Sequence, residues 1–400
     1  MTDPSAAERE RLAAREDRAW RDPEQVISQW EDAATADPRL LESQAHGAWW
    51  DVLAHYALTV LVSREYEHLL IALSAPDGRP RATFMRLPHP SGVAFDAGRG
   101  IVHVAATRNP NQVFDLAPVS GALPRADAQA PDVDDRPLVP LSSRYLPGCT
   151  YLHDLALVDG ELHGNAVGEN AVLRLPRSGP PERVWWPHCV ERDGTPDVSR
   201  NYLQLNSIAA GADIESSYFS ASSERISARR PGHRNYPVDG RGVIFSGSTR
   251  EPMARGLTRP HSARLHQDRV WVDNSGYGEL GVAANGAFEA VMRLPGWTRG
   301  LSFAADVAFV GTSRVLPSFR QYAPGLEVEQ SSCAVHAVRP TTGEVLGSLV
   351  WPYGNQVFAV EPVPAAFSLG FPFLAGGRRS RASAKRLFYT FQAHPQETGQ

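Results

Sequence analysis

Two histidines stand at equivalent places in repeated segments, His153 in YLHDLALVDGELHGN and His261 in PHSARLHQDRVWVDN. Neutral imidazole is the commonest metal ligand and a common acid or base near neutral pH. The pair therefore points to two chemistries. With an amide or carboxylate and open positions, His153 and His261 would hold one divalent transition metal ion, with His163 as a third ligand or a supporting group. Without a metal they would move protons. Arg299, in LPGWTRGLSF, offers a planar fork for a carboxylate or phosphate. His153, His261 and Arg299 are the candidate catalytic residues.

Polar residues at matching places in other segments extend the set. Asp154, Gln204, Asn206, Tyr277, Arg299 and Gln356 are the candidate substrate-binding residues. Asp154 and Asp273 are alternative partners for Arg299. The plainer alternative is that these polar groups satisfy one another and line a channel of water.

The elements that would bring such distant residues together are short strands. Apolar runs alternate with Gly, Asp, Asn and Pro turns from about residue 57, as in ALTVLVS (57–63), HLLIALS (68–74) and RATFMRL (81–87). A strand–turn–strand–turn–strand unit recurs over 91–116, 151–175 and 260–283, with a fourth copy over 298–314 followed by a long insert and a weaker copy over 205–222. Asp159-Gly160 suits a tight hairpin, because glycine accepts positive φ without steric cost.

First strands of the unit begin near Gly92, His153, Asn206, His261, Arg299 and Asn355. Their spacing fits four-stranded blades of about 40 residues plus loops. The last start has little strand sequence after it, and the strands at 57–87 have no first strand before them. Joining the two would close a ring and remove exposed sheet edges. The fold expected is all-β, a single six-bladed β-propeller over 46–365. A helical extension over 1–45 precedes it, and a C-terminal strand and basic tail over 366–400 follow. The segments 120–143 and 223–241 read as loops. In a propeller the first strands line the axis, so the candidate residues would converge at one channel mouth.

Bulk composition limits the partners. The formal net charge is −4 and hydrophobic residues make up 42%. This gives no general attraction to nucleic acid or anionic membrane. Three scattered cysteines without a C-x-x-C pair argue against a disulfide framework. The polar start MTDPSAAERERLAARED is no secretory signal, no 18-residue apolar run is present, and a cytoplasmic location is expected. Nucleotide loops, the nucleophile elbow and H-E-x-x-H are missing.

The stretches LTRPHSARLHQDRVWVDNSGYGELG (257–281) and LPGWTRGLSFAADVAFVGTSR (294–314) resemble a bacterial family known mainly as a domain of unknown function. Its members are labelled conserved hypothetical or, loosely, tetratricopeptide-containing. The likeness extends through LVSREYEHLL (61–70), HDLALVDGELHGN (153–165), LNSIAA (205–210) and GNQVFAV (354–360). The resemblance implies a propeller and almost no activity. A His is usual in that family where Gln204 stands, and a Glu where Gln356 stands, so a metal or acid–base role that relied on them is weakened here.

The functional expectation is a small-molecule enzyme of specialised metabolism acting at the channel mouth, metal-dependent (oxidoreductase, lyase or isomerase) or metal-free by acid–base chemistry, on an anionic substrate. The alternative is a non-catalytic ligand-binding or protein-interaction propeller, docking a protein partner through the N-terminal extension.

Overall fold

A computed structural model describes residues 36–375 apart from 109–110, 124, 127–132, 147, 149 and 234, together with 7, 11, 33, 387 and 390–393. The strands form six antiparallel sheets of four or five strands arranged as the blades of a propeller. The first blade holds Pro90–Asp96, Ile101–Ala106, Asn111–Pro118 and Leu138–Leu146. The second, third and fourth begin with Leu152–Val158, Leu205–Ala209 and Pro260–His266. The fifth begins with Trp297–Ala304, and Gln44–Gly47 adds a fifth strand at its outer edge by pairing with Glu344–Trp351.

The sixth blade closes the ring. Ala359–Pro364 is its inner strand and pairs in regular register with Leu58–Arg64, which continues to Leu69–Ser74 and Arg81–Arg86. Joining segments distant in the chain within one blade pairs the orphan strands and closes the ring, as expected. The expected start near Asn355 is corrected. Residues 354–358 are not in a strand, and the inner strand begins at Ala359. The segment at 120–143 is also more than a loop. Its end enters Leu138–Leu146, and Gly121–Ala122 pairs with Phe391–Gln392.

Most of the N-terminal extension and basic tail lies outside the described residues. Of the extension's described residues, 7, 11 and 33 are helical, and a short 3-10 turn, Pro38–Leu41, leads into the strand Gln44–Gly47. Helix Trp49–His55 then packs Trp49 edge-on against Phe309 of the fifth blade. The cores lie between neighbouring blades. One cluster joins Val60, Val62 and Ile71 of the sixth blade to Phe309, Val335 and Trp351 of the fifth. Cys189 and Cys333 are unbridged, and Cys149 lies outside the described residues. Among the described residues no helix is long and apolar enough to cross a membrane.

Five of the six inner strands lose register near their starts. The irregularities fall between Pro90 and Val93, Leu152 and Leu155, Leu205 and Ser207, His261 and Arg264, and Thr298 and Leu301. Bulges of this kind re-aim side chains. They occur where His153, Asn206 and Arg299 stand, so each strand start is freed from simple alternation. Gly300 adopts φ 87°, which an L side chain resists, and its amide donates to Ser262 Oγ at 2.7 Å.

Candidate active site

The strand starts meet around a cavity of about 480 Å³ at one end of the axis. His153, Gln204, His261, Arg299 and Gln356 all line it. Lining residues that sequence reasoning did not single out include Glu65, Arg108, Arg259 and Arg314. Arg259 immediately precedes the inner strand of the fourth blade, inside the conspicuous stretch LTRPHS. The sequence pattern singles out His261, two residues on, because the expected bearing of a strand residue says little about residues before the strand.

His261 is buried and held in one tautomer. Its Nδ1 lies 2.8 Å from the Arg259 carbonyl oxygen and 3.0 Å from Ser275 Oγ. A carbonyl can only accept, and Ser275 already donates to the Thr298 carbonyl at 2.7 Å. Nδ1 therefore carries the proton, and the lone pair is on Nε2. Burial, then Arg299, Arg259 and His153, push the His261 pKa well below the ordinary 6.5. The ring is neutral at neutral pH.

His153 is partly exposed to the cavity, while its Nδ1 is buried without a hydrogen-bond partner among the described residues. Its ring meets Phe358 edge to face at 5.5 Å. Desolvation, then Arg299 and two further arginines, push its pKa well below 6.5, offset in part by Asn206.

Two deep guanidiniums dominate the electrostatics. Arg299 lies over the Phe358 ring at 3.3 Å, and its Nη2 is buried without a hydrogen-bond partner among the described residues. Arg259 donates to Gln204 Oε1 at 2.7 Å and to the Pro231 carbonyl at 3.2 Å, and stacks on Tyr322 at 4.6 Å. None of these partners is a carboxylate. Burial lowers the pKa of each arginine from 12.5 to about 10, so both stay charged. Glu65, the one acidic residue of the lining, is bonded to Thr107 and to Arg108, the latter at 3.2 Å.

The inner-strand side of Gln356 is set by another pair. Buried Arg64 and Glu67 approach to 3.4 Å. Glu67 Oε1 accepts from the Gln356 amide at 3.1 Å and from the Asn355 amide, while Arg64 donates to the Tyr353 carbonyl at 3.0 Å. The SREYE stretch of the sixth blade thus fixes the 353–356 segment against the cavity.

Other expected site residues are elsewhere. His163 pairs across to Ala156 and Arg174, bonds through Nδ1 to the Glu161 carbonyl at 2.9 Å, and does not line the cavity. Asp154 turns away from Arg299 and binds Arg264 through both carboxylate oxygens, at 2.7 and 3.0 Å. Asn206 lies behind the lining, donating to the Pro260 carbonyl at 2.8 Å. Tyr277 points to Asp239, its hydroxyl donating at 3.0 Å, and also stays out of the lining.

The trio expected to hold a metal therefore does not assemble. Among the described residues no group of three His, Cys, Asp or Glu side chains could hold an ion. The two imidazoles that do share the cavity face Arg299 and Arg259, whose charges oppose a cation. These residues do not fit a resident metal.

Residues 47–368 match the family described as a domain of unknown function, DUF4915. A search of curated proteins finds no match. Solved structures share the architecture at low identity. One, a nidogen/laminin complex, is 8% identical with a TM-score of 0.49, over 76% of this chain and 98% of that one. A gluconolactonase from Xanthomonas campestris is 11% identical with a TM-score of 0.43, over 74% and 86%. A calcium-binding protein, regucalcin, from Agrobacterium tumefaciens is 11% identical with a TM-score of 0.40, over 64% and 72%. These identities are too low for an activity to pass to this chain.

Proposed function

The chain belongs to the DUF4915 family, and for this member we propose a small-molecule enzyme that binds an anionic substrate in the axial cavity and works by acid–base chemistry. The carrying observation is that Arg259 and Arg299 are buried in one cavity with no carboxylate bonded to either. A buried cation with no carboxylate bonded to it is poorly compensated, and a bound anion would supply that bond.

His261 Nε2 is the base. Its proton-bearing Nδ1 is anchored by a carbonyl and a hydroxyl, the kind of support that orients a catalytic imidazole. A proton taken by Nε2 would leave negative charge on the substrate, which Arg299 and Arg259 would stabilise. His153 is the second proton-transfer group, and Gln204 and Gln356 orient the substrate. Isomerisation, elimination, cyclisation and hydrolysis all fit one oriented base beside an anion site. A cytoplasmic location is part of the same reading.

The test is to incubate purified protein with the small-molecule fraction of a bacterial extract and follow masses. A product should form with wild-type protein and fail with His261→Ala, while Arg299→Gln should lose substrate binding. Equal turnover by His261→Ala, or binding unaffected by Arg299→Gln, would refute the reading.

A further inference from the structure

Among the described residues six arginines and one glutamate line the cavity, in a chain whose formal net charge is −4. We infer that its ligand is a small organic dianion, with one carboxylate or phosphoryl group seated at Arg299 and Arg259 and a second at Arg200 and Arg230 on the rim. This rests on the anion-site reading above and adds the class of molecule.

The charges of the lining disfavour a ligand with one anionic group. Glu65 already serves Thr107 and Arg108. Arg314 is turned to the carbonyls of Pro352 and Trp351, at 3.0 and 3.4 Å. His153 and His261 are pushed well below 6.5 and stay neutral. Arg259, Arg299, Arg200 and Arg230 then face the cavity with no carboxylate bonded to any of them among the described residues. One anionic group at the deep pair leaves the rim pair uncompensated, and like charges around one cavity repel. A guanidinium edge matches the paired oxygens of a carboxylate or a phosphoryl group at either end.

The rim pair stands on anchored backbone. The Arg200 carbonyl accepts from Asn170 Nδ2 at 2.7 Å, and Asn201 Oδ1 accepts from the Gln204 amide at 2.7 Å. Arg230 is followed by Pro231, whose carbonyl accepts from Arg259 at 3.2 Å, and by Gly232, whose carbonyl accepts from the Tyr322 hydroxyl at 3.0 Å. A Cβ added at Gly232 would lie 4.0 Å from both the Arg230 guanidinium carbon and Gln204 Oε1, the oxygen that Arg259 holds at 2.7 Å. Deep and rim guanidiniums therefore border one space, on segments fixed to each other. Fixed backbone lowers the ordering cost of binding. The exposed side chains of Arg200 and Arg230 also draw anions towards the mouth.

Calorimetric titration of the full chain compares dianions with esters that keep the skeleton and lose one charge. Succinate, glutarate, adipate and 3-phosphonopropionate are each set against the monomethyl carboxylate ester. For at least one of the four, the dianion should bind about tenfold tighter than its ester, as for one added charge-assisted hydrogen bond. The advantage should shrink when salt is raised to about 0.5 M, because the rim is exposed. Arg200→Gln combined with Arg230→Gln, at exposed positions, should bring that dianion down to the affinity of its ester. If every dianion binds no tighter than its ester, or if the advantage survives the double change, the two-ended class is wrong and the anion site stands. If neither dianions nor esters bind, the anion site itself fails and this inference falls with it.

Discussion

Arg264 reaches across from the fourth blade to grip Asp154 of the second, with Nη1 and Nη2 at 2.7 and 3.0 Å from its two oxygens. The same guanidinium bonds the Ala263 carbonyl at 2.8 Å, and the Ile208 amide of the third blade donates to Asp154 at 3.0 Å. Three blades are thus tied together by one ion pair near the axis. Asp154, one of the carboxylates expected beside Arg299, is bonded to Arg264 instead, and no carboxylate among the described residues is hydrogen-bonded to Arg299.

Breaking this pair on one side should be severe. Asp154→Ala strands a buried guanidinium, and the expected loss is about 3–5 kcal/mol of unfolding free energy. Denaturant titration measures it. A double change, Asp154→Leu with Arg264→Met, should recover part of that loss, because the guanidinium is no longer stranded, while Asp273 and Glu361 lose its attraction. A double variant as unstable as the single one would contradict the electrostatic account.

Arg299 should trade stability for binding. Removing a buried cation to which no carboxylate is bonded relieves a desolvation that outweighs the pull of Glu65, so Arg299→Met is expected to raise the melting temperature of the ligand-free protein. The same variant should lose the thermal shift produced by organic acids. Calorimetric melts with and without succinate check both halves, and a lower melting temperature without ligand would count against the argument.

Acid should unfold the protein through its buried histidines. Burial lowers His68 and His336 to about 4, and His261 falls well below 6.5. Below pH 6.5 the unfolded chain takes up protons that these folded rings refuse. Stability is therefore complete above pH 6.5 and declines as pH falls towards 4, at about 1.4 kcal/mol per pH unit for each such ring. Urea midpoints measured from pH 8 to pH 4.5 should fall steadily, and His336→Gln should flatten the slope.

Glu361 acts in the opposite direction. Burial raises its pKa from 4.5 to about 7, against the pull of Arg264 and a 3.3 Å bond from Ser302 Oγ. The folded chain keeps a proton that the unfolded chain gives up, so this group subtracts stability as pH rises from 4.5 to 7. Glu361→Gln should be more stable than wild type at pH 8 by on the order of 2 kcal/mol, with the gain vanishing near pH 4.5. Paired unfolding curves at the two pH values decide it.

Much of the architecture was legible along the chain. Apolar runs between turn residues marked Leu58–Arg64, Leu69–Ser74 and Arg81–Arg86 as strands, and the orphan first strand at the C-terminal end matched these orphan outer strands near residue 60. These signals are local, since a strand shows its period in its own residues and a closed ring can be counted. Convergence of His153, His261, Arg299, Gln204 and Gln356 followed from that count.

The direction of each side chain did not follow. Asp154 stands next to His153 in sequence, yet bulged inner strands send one to the cavity and the other to Arg264. Arg259 was invisible as a site residue because its place depends on the Pro231 carbonyl and Tyr322, both distant in sequence. Periodicity and composition are properties of the chain, so the repeat, the ring and the kinds of groups at its mouth can be read along it. Which charges find partners and which face the cavity depends on distances between blades, and no single segment encodes those.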